Sequence, residues 1–231
     1  MIKKFFKQGI SGNTLKIIAL IAMTLDHLCI LIIPQVEWLR IIGRIAMPIF
    51  AFMIAEGCKY TKNKLKHFLM IFILGVICQV VYFINDQSLL MGILIVFSFS
   101  VVIIYSISYA FKSQKWWAYL LVVLAIGLTL FCYYGLPKLT TEHLEFDYGI
   151  GAVFLPVGIY LFNNKWLKLL ATAICLIPIS AISWSVQWFC YLALIPLALY
   201  NGKRGKYNIK YFFYLYYPLH LVVLYFISLF I

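Results

Sequence analysis

Lys16, Asp26, His27, Arg40, Arg44, Glu56 and His220 stand inside or at the edges of long apolar runs. A charged side chain at mid-bilayer costs roughly 3 kcal/mol on insertion scales, so such residues face a protein interior and mark sites of chemistry. In "LKIIALIAMTLDHLCILII", residues 15–33, Asp26 and His27 are adjacent. Imidazole titrates near neutrality and serves as general base or as nucleophile. Helix neighbours point about 100° apart, so Asp26 is badly placed to orient His27 and is expected to pair with an arginine. Arg40 and Arg44 lie one turn apart on the next apolar run, and Arg44 is the more probable partner by depth. The same residues admit structural readings: a buried Asp26–Arg44 pair that fixes packing, and a hydrogen-bonded core histidine.

Lys16 precedes His27 by eleven residues. Eleven helical steps return to within about 20° of the same face, with a rise of roughly 16 Å. One face therefore carries a cation at a membrane edge and a base deep inside. A long polyanion with a reactive tip suits that spacing, and a coenzyme A thioester has this form. As a structural reading, Lys16 is a snorkelling interfacial lysine. His220, two residues after Pro218 in "YLYYPLHLVVLYF", is expected at similar depth to His27. It would bind the acceptor, assist proton transfer or hydrogen-bond a proline kink. Glu56 closes the second apolar run, with Lys59 at i+3 as its simplest partner. Lys59 and Lys62 are further cations for an anionic ligand.

The elements that must position these residues are membrane helices. Of 231 residues, 65% are hydrophobic and only 11% charged, against about 25% charged in soluble domains. Apolar runs approach or reach the ~20 residues that span ~30 Å of hydrocarbon. They fall at 14–33, 39–57, 67–85, 89–111, 115–134, 148–162, 166–183, 186–200 and 211–231. The expected fold is an all-α polytopic bundle of about nine spans, with eight or ten as alternatives, in a single integral-membrane domain over 1–231. The first run, with its Asp-His pair and no small-residue cleavage site, is not a removable signal.

With a cytoplasmic N-terminus, sixteen of the nineteen basic residues fall on inner segments: Lys3, Lys4, Lys7, Lys16, Lys59, Lys62, Lys64, Lys66, Lys112, Lys115, Lys165, Lys168, Lys203, Arg204, Lys206 and Lys210. Glu37, Asp86, Glu142, Glu145 and Asp147 fall outside. This asymmetry predicts N-in, and nine spans then put the C-terminus out. The net charge of +12 thus reflects orientation and anionic-lipid contact, not nucleic acid. Six dispersed cysteines show no Cys-x-x-Cys or other metal spacing, so no metal is expected.

"NTLKIIALIAMTLDHL", "LRIIGRIAMPIFAFMIAEG" with the basic "KYTKNK" after it, and "YYPLHL" near the end closely resemble the TraX family. Its named activity is N-terminal acetylation of a conjugative pilin. The likeness covers most of the first 85 residues and the last 20. Lys16 and His27 also resemble the basic-x10-His pattern of acyltransferase-3 type membrane enzymes. Arg40 and Arg44 have the spacing of those enzymes' Arg-x-x-x-Arg motif, although here the pair follows the histidine much sooner. Gly43 to Phe50 is similar to a stretch of lysosomal heparan-type acetyltransferases.

The resemblance implies an acetyl-CoA-dependent acetyltransferase of the bacterial inner membrane. His27, Asp26, Arg44 and His220 would form the catalytic set, and Lys16, Arg40, Glu56, Lys59 and Lys62 the donor contacts. Its acceptor would be a pilin N-terminus or another protein, glycan or lipid of the envelope. Two other readings stand beside it: a proton-coupled transporter with Asp26, His27 and His220 as relay, and a non-enzymatic assembly factor for a pilus or surface polymer.

Overall fold

The computed structural model describes residues 9–86, 90–139, 145–182, 186–207 and 209–230. Lys3, Lys4, Lys7 and Glu142, which enter the charge asymmetry, lie outside them. The described chain is helical: α1 (Gly12–Leu31), α2 (Glu37–Gly43), α3 (Ala46–Tyr60), α4 (Lys64–Asp86), α5 (Ile93–Ser113), α6 (Trp116–Leu139), α7 (Gly149–Tyr160), α8 (Lys165–Ile182), α9 (Gln187–Ala198) and α10 (Lys210–Ser228). Among the described residues, β-pairing is limited to two isolated parallel bridges, Ile10–Tyr200 and Met91–Phe146. Each of the nine expected runs is a helix, with α2 and α3 together forming the second.

Among the described residues, six stretches are long and apolar enough to cross a membrane: α1, α2–α3, α4, α5, α6 and α10. Helix α7 has 12 residues, a rise of about 18 Å, well short of the hydrocarbon thickness. Helix α9 is similarly short and starts as a 3₁₀ segment over Gln187–Ala193. Helix α8 has 18 residues and includes Lys165 and Lys168. With α2 and α3 counted as one, the described residues hold nine apolar helices, of which six have the dimensions of full spans.

The helices fall into two compact units, residues 1–53 with 162–231, and residues 54–161. In the first, α1 packs on α2 and α10, α8 packs on α9, and α9 reaches α2. Leu15, Ala19, Ile49, Phe52, Leu176 and Leu197 are fully buried in it. Ser11 starts α1 by accepting a hydrogen bond from Thr14 N at 3.2 Å, satisfying one of the donors that a helix start leaves open. Pairing of Ile10 with Tyr200 ties the residues just before α1 to those just after α9.

In the second unit, α5 packs on α4, α6 and α7, with Phe97, Val101, Ile103 and Ile104 fully buried. Gly75 lets α4 approach α5 closely: a Cβ there would meet Ile95 N at 2.9 Å. Across α5 and α7, Ser100 Oγ donates to Val153 O at 2.7 Å. A π-helical turn over Phe131–Gly135 precedes Pro137, which lacks the N–H that a regular α-turn needs. Most large apolar side chains of α4 and α6 are exposed in the chain alone, as expected of helices that face lipid.

Candidate active site

The site is built on α1, α2, α9 and α10 of the first unit. Asp26 comes from the C-terminal half of α1 and Arg44 from the residue that caps α2. Arg44 N bonds back to Arg40 O at 3.0 Å. Both residues are buried, at 7% exposure each. Arg44 Nη2 donates to Asp26 Oδ2, and Arg44 Nη1 donates to Gln187 Oε1 at 3.1 Å. Arg40 Nε stands 3.9 Å from Asp26 Oδ1, with its side chain 44% exposed. The expected partnership of Asp26 with Arg44 is present, and Arg40 is the weaker, more open neighbour.

Gly43 makes room for this pair. A Cβ at that position would lie 2.7 Å from Asp26 Oδ1 and 2.8 Å from Cγ. The Gly43-Arg44 dipeptide thus combines close approach of α2 to α1 with delivery of a fork-shaped donor to a carboxylate.

His27 points to α10. Its Nδ1 lies 3.0 Å from His220 Nε2, with ring centroids 5.1 Å apart. His220 Nδ1 lies 3.1 Å from Tyr216 O. A carbonyl only accepts, so His220 Nδ1 carries the hydrogen, and neutral His220 presents a lone pair at Nε2. His27 Nδ1–H then donates to it, which fixes the His27 lone pair on Nε2. One backbone carbonyl therefore selects the tautomer of both rings. His220 thus holds the His27 ring through its Nδ1, the position from which a carboxylate holds the imidazole in hydrolytic triads. The Tyr216 carbonyl is not Tyr214 O, the one that Pro218 leaves without its α-helical N–H.

Tyr216 reinforces the arrangement. Its ring stacks on His220 with centroids 5.5 Å apart and planes within 8°. Its hydroxyl lies 2.7 Å from Thr24 Oγ1, and Thr24 donates to Leu20 O at 2.8 Å, so Tyr216 O–H is the donor. Thr24 and His27 are three apart on α1, and Tyr216 and His220 four apart on α10. Two rungs thus join the helices, the i/i+3 and i/i+4 spacing placing them on facing stripes. Neither Thr24 nor Tyr216 carried weight in the sequence reading. That spacing is the signal that finds them once His27 and His220 are paired.

Lys16 lies on the same helix, half-buried, with Nζ 5.4 Å from the ring centre of Phe213 on α10. Of the other expected donor contacts, Arg40 stands beside Asp26 in the first unit, whereas Glu56, Lys59 and Lys62 belong to the second. Glu56 is buried there at 3% exposure. Lys59 Nζ sits 5.4 Å from the Tyr160 ring, and Lys62 is exposed. That unit has a polar group of its own: His67 Nδ1 to Tyr105 Oη at 2.7 Å, and Lys64 Nζ to Ser108 Oγ at 2.9 Å. Gly57 faces His67, whose Nε2 a Cβ would meet at 3.2 Å.

A family model described as TraX protein matches residues 11–228. The chain belongs to the TraX family. Among relatives of this TraX chain is the probable fimbrial assembly protein FimC, serogroup H1, of Dichelobacter nodosus. It is 24% identical over 249 residues, which span 93% of this chain and 94% of that protein. Another is the uncharacterized protein RP591 of Rickettsia prowazekii (strain Madrid E), 44% identical over 68 residues, 29% of this chain and 25% of that protein. No solved structure matches the chain.

Proposed function

We propose that this TraX chain is a membrane-embedded acetyltransferase that moves an acetyl group from acetyl-CoA to an amine or hydroxyl. The observation that carries the reading is the Tyr216 O–His220–His27 chain, which places a lone pair on His27 Nε2 inside an apolar helix pair. A tautomer fixed by two successive hydrogen bonds is what a general base requires.

In the reaction, His27 Nε2 takes the proton of the acceptor N–H or O–H as that atom attacks the thioester carbonyl. A tetrahedral adduct forms, its oxygen carrying the negative charge. The C–S bond then breaks, and the proton held on His27 passes to the departing thiolate, giving coenzyme A and the acetylated acceptor. His220 supports the transient imidazolium, because the shared Nδ1–Nε2 hydrogen bond spreads the positive charge toward the Tyr216 carbonyl. Two of Arg44's donor nitrogens are already engaged by Asp26 and Gln187, so it holds the helices in register and supplies fixed positive charge near the base. Arg40, the more exposed arginine, is the one available to the adduct oxygen.

Basic inner loops favour an N-in orientation in the bacterial inner membrane, with acetyl-CoA arriving from the cytoplasm past Lys16. A fimbrial assembly relative over nearly the full length points to a pilus subunit as the acceptor. The test is incubation of purified protein and envelope fractions with isotope-labelled acetyl-CoA, followed by mass spectrometry. The expected result is label on an envelope protein, lost in His27→Ala. A folded His27→Ala protein that transfers at the native rate overturns the reading.

The relative's name also favours a second reading, a non-enzymatic assembly partner. It predicts that His27→Ala leaves surface fibres intact and envelope proteins unlabelled in both native and variant cells.

A further inference from the structure

The segment between α9 and α10, "YNGKRGKY" (200–207), takes no part in that chemistry, yet it is fastened along its length to the start of α1. Ile10 N donates to Leu199 O at 2.8 Å, and Asn201 N to Ile10 O at 3.0 Å. Gly12 N donates to Lys203 O at 2.8 Å, and Asn13 N to Arg204 O at 2.9 Å. Asn13, 8% exposed, adds a side-chain bond from Nδ2 to Tyr207 O at 2.6 Å. The Tyr200 ring packs edge-on to buried Phe52 at 5.9 Å.

Two glycines let the strap follow this path. Gly202 and Gly205 have φ of +74° and +103°, which side chains with a Cβ rarely adopt. At Gly205 a Cβ would also strike Ser11 Oγ at 2.8 Å and Asn13 Nδ2 at 3.0 Å.

What this backbone presents outward is positive charge. Lys203, Arg204 and Lys206 are all exposed. Lys16 is one turn along α1 from Asn13, over Phe213, and Asn13 N is the donor to Arg204 O. Lys16 and the backbone of Arg204 therefore both lie at the first turns of α1. The sequence has no acid after Asp147. Folding fixes the strap's backbone, so three cations project from one short pre-formed segment before any ligand arrives, which lowers the ordering cost of capturing a multiply charged anion.

We propose that the 200–207 strap, together with Lys16, is the phosphate-binding end of the donor site and takes a nucleotide polyphosphate through Lys203, Arg204 and Lys206. The inference rests on the acetyl-CoA reading and assigns that donor's phosphates to this strap. An anionic lipid headgroup shares the chemistry, and the test separates the two.

Full-length protein in nanodiscs of zwitterionic lipid is titrated with radiolabelled coenzyme A, as native chain and as the Lys203→Ala/Arg204→Ala/Lys206→Ala variant. These changes leave the anchoring carbonyls of 203 and 204 in the backbone. Binding is expected to weaken about fivefold per cation removed and roughly 100-fold in the triple variant, with a shallower salt dependence. In turnover, KM rises for acetyl-CoA but not for acetyl-pantetheine, which has no phosphates. The single Lys206→Glu change, expected to weaken coenzyme A binding about tenfold, serves if the triple variant does not fold. Coenzyme A affinity within twofold of native in the folded variants overturns the assignment, as does an equal rise in KM for both donors. It also fails if coenzyme A does not bind in zwitterionic discs and the variants lose only retention of added phosphatidylglycerol. If neither donor is turned over but coenzyme A binding still follows the strap cations, the acetyltransferase reading falls and the strap assignment stands.

Discussion

Replacing Arg44 by Met leaves Asp26 buried with no counter-ion of comparable geometry. Removing one partner of a buried pair costs about 3–5 kcal/mol, because the remaining charge keeps its desolvation penalty. Asp26 and Arg44 are each only 7% exposed, so the estimate belongs at that buried limit. Arg40 makes a useful control: at 3.9 Å and 44% side-chain exposure, its loss is expected to cost under about 1 kcal/mol. The double change Asp26→Leu/Arg44→Met removes both charges and is expected near native stability, as is common when buried pairs become apolar. Unfolding in mixed micelles by titration with sodium dodecyl sulfate gives the four free energies of the cycle. Neutral hydrogen bonds between membrane helices couple by about 0.6 kcal/mol on average, so a charged pair must exceed them clearly. A coupling energy below about 1 kcal/mol would falsify the claim that Asp26 and Arg44 hold α1 to α2 as an ion pair.

Alanine at Gly43 is expected to destabilise the protein in the same titration, although Gly→Ala in a helix ordinarily gains up to ~1 kcal/mol. The sign reverses because the new methyl meets the Asp26 carboxylate, and an increase in stability would count against that packing. If His27 and His220 act as one unit, His27→Ala and His220→Leu each lower kcat by roughly 10²–10⁴, with KM for acetyl-CoA nearly unchanged. The double variant then falls no further than the worse single one, whereas multiplied losses would show separate roles. Tyr216→Phe removes the donor to Thr24 but keeps the ring stacked on His220. A loss of about 1 kcal/mol of stability with kcat within a few-fold of native is expected, and a drop as deep as that of His27→Ala would place the hydroxyl in the chemistry.

The helices were legible because lipid demands a coarse pattern: apolar runs separated by short basic or acidic breaks, each of which proved helical. Helix ends were less so. The second run hides the tight turn at Arg44–Ile45, which apolarity does not mark, and α9 begins in a 3₁₀ segment that composition cannot distinguish from α-helix. Asp26 with Arg44 was readable from short connection, similar depth and opposite charge. His27 with His220 was readable only as equal depth, since 193 residues separate them and nothing local states which ring nitrogen faces which. Gln187 illustrates the limit: its side chain is a plain polar group in an apolar run until Arg44 Nη1 is seen to reach it. The strap was invisible because its fastening is backbone hydrogen bonding, in which the sequence shows only two glycines.

The partners of the deep polar residues differ in when they are made. Arg44 follows Asp26 by 18 positions, so both emerge from the ribosome within moments of each other and can enter the bilayer as a neutralised helical hairpin. His220, 193 positions after His27, and the segment that pins Ile10 are made much later. The acid of the first helix therefore finds its match well before the imidazole does, and the His27 tautomer is set only when α10 packs against α1.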